Sequence, residues 1–457
     1  MCIRDSTYTF HLKEGNTWTN GEPVTAYDFE YGWKALLDPE MAAPYAYSAY
    51  IIKNGAAYNE GTVTAEEVGV KALDDYTLEV VLEQPTAYAL SQFCSPLFAP
   101  LNQKGYEAIT AEFGADSYGT DMDKVVTNGP YTVTEWLHED KLTVEKSETY
   151  HGVSDVQIPK IIFRMISDSN TAMNEFKAGE LDFIPELTGD QAQMLRSEGA
   201  TVLSYDTAGV NYLDYSFDWP GLDNANIRKA LSMSIDTQSL CSDVMKNSSK
   251  PAYSIVPASI TEPSTGNSFH DRVGDLYGYD PEKAKELLAQ GLKEENMTAE
   301  ELNLSLICDD KDDVQRVAAF LQEQWKQNLG IQVEISAMPY KSRINHLIEK
   351  DFCMVLDGWL PDYNDPNTYL EIFISDNGNN AANYANAEYD ALMAQAAAEQ
   401  DEEARYALLA QAEKLLVGTD MGPGPLYYIY RDYIISDKVD GAIVSAFQST
   451  WRYASIK

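Results

Sequence analysis

The sequence is poor in positive charge. Its 457 residues hold 33 Lys plus Arg against 72 Asp plus Glu, a formal net charge of −39. A field of that sign repels phosphate, so nucleic acid and anionic membrane surfaces make poor partners. Cysteine is scarce as well. Cys2, Cys94, Cys241, Cys308 and Cys353 are too few for a disulfide scaffold, form no CxxC, and lie away from any His at metal-ligand spacing. No disulfide is expected. No run of ~18 apolar residues occurs, so no membrane-spanning helix is expected.

Catalytic signatures are missing too. There is no GxSxG elbow, HExxH, Walker loop or GxGxxG. His11, His138, His151, His270 and His346 are scattered. The stretch from Asp362 to Phe373 superficially resembles a calcium loop, but its sixth position is Asn367 instead of Gly and its twelfth is Phe373 instead of Glu. No metal and no cofactor is expected. Spacing alone leaves a pair of glycosidase carboxylates open, because with 72 acids such pairs arise by chance.

The opening lacks a secretory leader, with its basic patch, apolar stretch and cleavage site. Met1 to Ser6 run straight into an alternating strand at 8–12. Residues 1–6 therefore read as foreign to the protein, and a natural N-terminal segment as missing. With no apolar run before it, Cys2 is not a lipidation site as it stands.

What is present is globular. Hydrophobic residues make up 44% and charged residues 23%, and the length corresponds to about three domains at ~150 residues each. Thirty Tyr against 14 Phe favour rings with a polar tip, which suit wet ligand-gripping surfaces or simply half-buried positions. Residues 7–125 read as mixed and β-leaning. They hold a helix around Phe29, Trp33 and Leu36 and a hairpin at 68–73 and 77–82. Strands follow at 131–136, 141–146 and 161–165, then a helix at 172–178 that stops at Gly179.

From 211 to 425 the pattern is more regular. A helix at 226–235 precedes one capped by Asp280 and Pro281 and closed by Gly291. Then come a strand at 302–308, a helix at 312–328, a strand at 331–336, a helix from Pro339 to about 350, and a strand at 352–356. This β-α-β-α-β run predicts a largely parallel, doubly wound α/β sheet. Two helices at 387–400 and 402–416 and two late strands at 426–430 and 433–436 complete it.

In such sheets ligands bind beyond the carboxyl ends of strands. The strand at 352–356 runs into Asp357-Gly-Trp-Leu-Pro-Asp-Tyr-Asn-Asp-Pro366. Gly358 permits close backbone approach, Trp359 and Tyr363 offer ring faces, and Asp362 and Asp365 are carboxylates between Pro361 and Pro366. A carboxylate beside aromatics seats an ammonium group. The competing reading is a solvated Asx/Pro turn around a core Trp.

Six segments in order carry a resemblance: Tyr8-Thr-Phe-His-Leu-Lys-Glu-Gly with Trp18 to Phe29, Val70 to Glu79, Thr127-Asn-Gly-Pro-Tyr131, Phe176 to Asp182, Asn226 to Asp236, and Gly358 to Pro366. The chain resembles the oligopeptide/dipeptide/nickel-binding family of solute-binding proteins of bacterial ABC importers. The resemblance implies a two-lobed type II periplasmic-binding-protein (flytrap) fold with an extra subdomain. Residues 1–125 correspond to that subdomain, 126–210 with 426–457 to one lobe, and 211–425 to the other. It also implies an extracytoplasmic, monomeric, non-enzymatic binder, in the periplasm or lipid-anchored at the cell surface, that passes oligopeptides to a permease.

In the family a first-lobe strand precedes the region where this chain starts, so the chain as written is expected to fold poorly. Asp362 matches the position that pairs with the peptide amino group, Trp359 the neighbouring ring, and the Gly358 to Leu360 backbone the ladder partner. Tyr45, Tyr47 and Tyr50 are candidate rings from the subdomain, or else its core. Where relatives carry a base for the peptide carboxylate, this chain has Leu356. A dipeptide, oligosaccharide or nickel-chelate guest, and a glycosidase, are the alternatives.

Overall fold

The computed structural model describes residues 2–4, 6–446 and 449–457. The chain folds into two compact units. One holds the chain up to Asp182 together with Ser436–Val444 and the C-terminal residues; the other is built on Phe183–Ile435.

The first unit contains three antiparallel sheets, the smallest pairing Val439–Asp440 with Ser455–Ile456. In the first, β1 (Cys2–Arg4), β2 (Thr7–His11), β3 (Val70–Asp74) and β4 (Thr77–Val81) stand in the order β1-β2-β4-β3. Helix α1 (Ala26–Leu37) packs on this sheet, with Trp33 and Leu37 buried alongside Val70, Leu78 and Val80. The Trp33 indole donates to the Phe98 carbonyl at 2.8 Å, which satisfies its only polar atom. In the second sheet β6 (Lys141–Lys146) lies between β5 (Tyr131–Leu137) and β7 (Lys160–Arg164).

The second unit is a seven-stranded sheet covered on both faces. Its strands are β8 (Phe183–Ile184), β9 (Leu203–Tyr215), β10 (Lys250–Pro251), β11 (Ser305–Asp309), β12 (Glu334–Met338), β13 (Met354–Trp359) and β14 (Pro423–Ile435). They run in the order β10-β14-β9-β13-β11-β12, with β8 on β14. Alternate residues of β9 enter opposite cores. Leu213 and Tyr215 join α2 (Ala225–Met233), α3 (Pro281–Glu294) and α4 (Asp312–Leu329); Val210 and Tyr212 join the face that holds α6 (Ala387–Ala398) and α7 (Glu402–Glu413). Between them in chain order, α5 (Tyr340–Glu349) connects β12 to β13.

Parallel pairing is confined to β11 with its neighbours β12 and β13; β9 is antiparallel to both β13 and β14. The sheet is therefore mixed, not largely parallel. The alternation of strands and helices was legible, but 203–215, buried on both faces along much of its length, has no period to betray it. Two further expectations are corrected. Gly291 does not close a helix: α3 runs on to Glu294, and a Cβ on Gly291 would stand 2.6 Å from Ile227 Cγ1, so this glycine serves close packing against α2. The late strands are one strand, β14, which absorbs Pro423 and Pro425 at its start, beside a register shift against β9.

Candidate functional site

The site is assembled where β13 leaves the sheet. The strand does not stop at Leu356; it continues to Trp359, with Gly358 opposite Asn211 and Trp359 opposite Val210. On its other side it pairs with β11 only at Met354 and Val355. Beyond Val355 the side of β13 turned away from β9 has no strand partner among the described residues. A Cβ on Gly358 would meet the Asn211 side chain and the Val210 carbonyl at 3.1 Å, so the two backbones approach closely here.

Charge fixes the end of the parallel strands. Arg343 of α5, buried, donates from Nε to Asp309 at 2.8 Å and from Nη1 to Asp357 at 2.6 Å. Asp309 ends β11 and Asp357 precedes Gly358, so one guanidinium ties both strand ends. It also lies over the Tyr340 ring.

After Trp359 the chain turns out and back. Leu360 is exposed, Asp362 half-buried and Tyr363 buried. The hydroxyl of Thr368, itself 0% exposed, accepts from the Trp359 indole at 3.1 Å and from the Asp362 amide at 3.3 Å. The turn is pinned a second time at Asp365. Both its oxygens take bonds from Arg405 of α7, at 2.8 and 2.7 Å, and the pair is 4% exposed on each side. A third support lies beneath. Glu371 accepts from the Tyr363 hydroxyl at 2.8 Å and from Asn367 at 2.7 Å, and Asn367 also donates to the Tyr363 oxygen. Burial lifts the Glu371 carboxyl to about 7; the charges of Asp362 and Asp365 add to the rise, while the bonds from Tyr363 and Asn367 oppose it.

The residues singled out in the sequence take different parts. Gly358, Trp359, Leu360 and Asp362 share the exit of β13. Asp365 is consumed by Arg405. Tyr363 turns its hydroxyl inward to Glu371, so its ring is a support. Tyr45, Tyr47 and Tyr50 belong to the first unit, where all three are exposed; the Tyr45 and Tyr47 rings lie 5.9 Å apart, and Tyr50 donates to Asn59. Leu356 is buried at 5% exposure. Sequence reasoning missed Arg343, Thr368, Glu371 and Arg405. Arg405 left a signal: it lies four residues before Leu409, on the buried stripe of α7, where a charge demands a partner.

Among the described residues no group of three His, Cys, Asp or Glu could hold a metal ion. Cys94, Cys241, Cys308 and Cys353 are free. No described helix is long and apolar enough to cross a membrane.

Residues 4–381 match the family model described as "Bacterial extracellular solute-binding proteins, family 5 Middle". The chain belongs to that family. The dipeptide-binding protein DppE of Bacillus subtilis is 36% identical over 441 residues, 96% of this chain and 79% of the relative. The oligopeptide-binding protein OppA of the same organism is 35% identical over 446 residues, again 96% and 79%. A structure of Listeria monocytogenes OppA bound to peptide superposes with a TM-score of 0.81 at 32% identity, covering 99% of this chain and 87% of that one. The family is one of binding proteins and not of enzymes, and the type II binding-protein fold expected from the resemblance is the fold found. Its members act outside the cytoplasm, as the family description states.

Proposed function

We propose that this chain captures oligopeptides and delivers them to the permease of an ABC importer. The observation that carries the reading is the overhang of β13. Residues 356–359 offer backbone groups on the side away from β9, next to the Trp359 indole and the Asp362 main-chain amide, both of which donate to the Thr368 hydroxyl, with the Asp362 carboxylate on that same turn. An extended peptide adds to such an edge by main-chain bonds. Asp362 takes the ammonium end through a charge-assisted hydrogen bond, and Trp359 flanks it. Gly358 and Leu360 serve through their backbone, and Leu360 adds exposed apolar surface.

Tyr45, Tyr47 and Tyr50 are proposed to contribute rings from the first unit. The same reading keeps the division into 1–125, 126–210 with 426–457, and 211–425, and a monomer that acts outside the cytoplasm, tethered by lipid or free. The peptide names of the Bacillus relatives and the peptide-bound Listeria structure support the ligand class.

Calorimetry with tri- to hexapeptides tests the reading. Asp362→Asn is expected to weaken binding by about 1.5–3 kcal/mol, the size of a hydrogen bond to a charged group. Unchanged affinity would remove Asp362 from its role. A second reading, a dipeptide guest, is favoured by the relative DppE and by Leu356, which offers no charge to a peptide carboxylate. A length series of peptides separates the two: a dipeptide site loses affinity at the tripeptide, an oligopeptide site gains it.

A further inference from the structure

The Tyr363–Asn367–Glu371 triad is more than a brace. Glu371 is a carboxyl under the turn that carries Asp362, and among the described residues no ion pair to it is found. The nearby guanidinium, Arg405, is committed to both oxygens of Asp365. The groups around Glu371 are otherwise acidic or neutral: Asp362 and Asp365 from the turn, Tyr363 and Asn367 as donors, and Tyr389 from α6, whose hydroxyl donates to the Leu370 carbonyl. The seat assigned to the ligand's ammonium group thus has two carboxylates, one from Asp362 and one beneath it.

We propose that Glu371 is a specificity-determining residue of this seat, and that capture of an ammonium-bearing ligand is coupled to release of a proton from its carboxyl. The inference rests on the assignment of Asp362 as the ammonium partner.

Two consequences of protonation act in the same direction. As a carboxylate, Glu371 accepts two hydrogen bonds, one on each oxygen. As an acid it must donate one proton, and the donors Tyr363 and Asn367 then face one good acceptor oxygen instead of two. The turn loses a support at Tyr363, next to Asp362, and the seat loses a negative charge. Conversely, a cation arriving at Asp362 favours the ionised form of Glu371 and drives its proton off. A burial-raised carboxyl titrating at about 7 is held where this exchange falls near neutrality. Affinity for a cationic ligand end should therefore rise with pH up to neutrality. An N-acetylated peptide, which lacks the ammonium, should bind weakly and without proton release.

The experiment is calorimetry of a histidine-free tripeptide with the intact chain between pH 5.5 and 7, where the ligand amine stays protonated. Titrations at pH 6.5 in two buffers of different ionisation enthalpy count the protons. The wild type is expected to gain roughly threefold to tenfold in affinity over this range, since one linked proton yields at most tenfold per pH unit, and to release a fraction of a proton per peptide. Glu371→Gln, which keeps one acceptor oxygen, should bind with a flat profile and release none. A wild type that binds the peptide with no proton release, or a Gln variant that keeps the wild-type slope, overturns the inference and leaves the peptide-binding reading standing. No binding of any free peptide at any pH overturns both.

Discussion

Arg405 holds both carboxylate oxygens of Asp365 across 40 residues of sequence, in a pair that is almost wholly out of water. The pair anchors the turn that presents Asp362 to α7, the helix on one side of the sheet. Neither residue is free to meet a ligand. Removing one partner strands the other charge in the interior.

Arg405→Met is expected to lower stability by about 3–5 kcal/mol, the usual cost of an orphaned buried charge. Replacing both residues together, Arg405→Met with Asp365→Leu, should recover most of the loss, because no charge is then left unpaired. Urea unfolding of the three proteins decides this; a double variant as unstable as the single one would refute it.

Thr368→Val keeps the shape of the side chain and deletes the hydroxyl that serves Trp359 and Asp362. A loss of about 1–3 kcal/mol in stability follows from the two donors left unsatisfied. Peptide affinity should fall in parallel with a shift in tryptophan emission, the spectroscopic sign that the indole has lost its partner. Full affinity in a stable Thr368→Val protein would separate the threonine from the site.

Gly291→Ala adds a methyl where 2.6 Å separates it from Ile227. The helix gains propensity, but α2 and α3 must move apart, for a net cost of about 1–3 kcal/mol typical of overpacking. Thermal unfolding measures it, and a stabilised variant would contradict the close-packing role.

Glu413 gives a pH test of stability. It is 0% exposed; one of its oxygens accepts from the amides of Ile255 and Val256, at 2.7 and 2.9 Å, and burial raises it to about 7. Its folded value lies above the unfolded one near 4.3. The folded chain therefore binds this proton more tightly. The stability it contributes is complete below about pH 4.5 and is lost as pH rises towards 7, at no more than about 1.4 kcal/mol per pH unit. Glu413→Gln keeps the acceptor oxygen and cannot ionise. The wild type minus variant difference in unfolding free energy should therefore fall between pH 4.5 and 7; a constant difference would refute the assignment.

Much of the second unit could be read from its sequence, because helices declare themselves by local chemistry. Asp280 followed by Pro281 marks the start of α3, and Gly330, at φ +72, marks the end of α4. The exit of β13 was legible for the same reason: Gly358, Trp359 and the two prolines are neighbours in the chain. What holds that exit was not. Arg343 and Arg405 come from other elements, and Glu371 is recruited by the fold of the turn itself. Strand limits failed where tertiary pairing overrode local signals. Only the presence of β9 alongside carries β13 through Gly358, and only a long antiparallel partner carries β14 past its prolines.

The order in which this chain is synthesised has a consequence at the Asp365 anchor. A ribosome emits Asp365 well before the guanidinium that will hold it, and α7 must form and dock before the ion pair can close. Until then the acid stays hydrated and the turn is held only by its own threonine and glutamate. This late helix of the unit thus acts as a latch. A nascent chain that stops short of Arg405 carries every residue of the proposed ammonium seat and still lacks the clasp that fixes it.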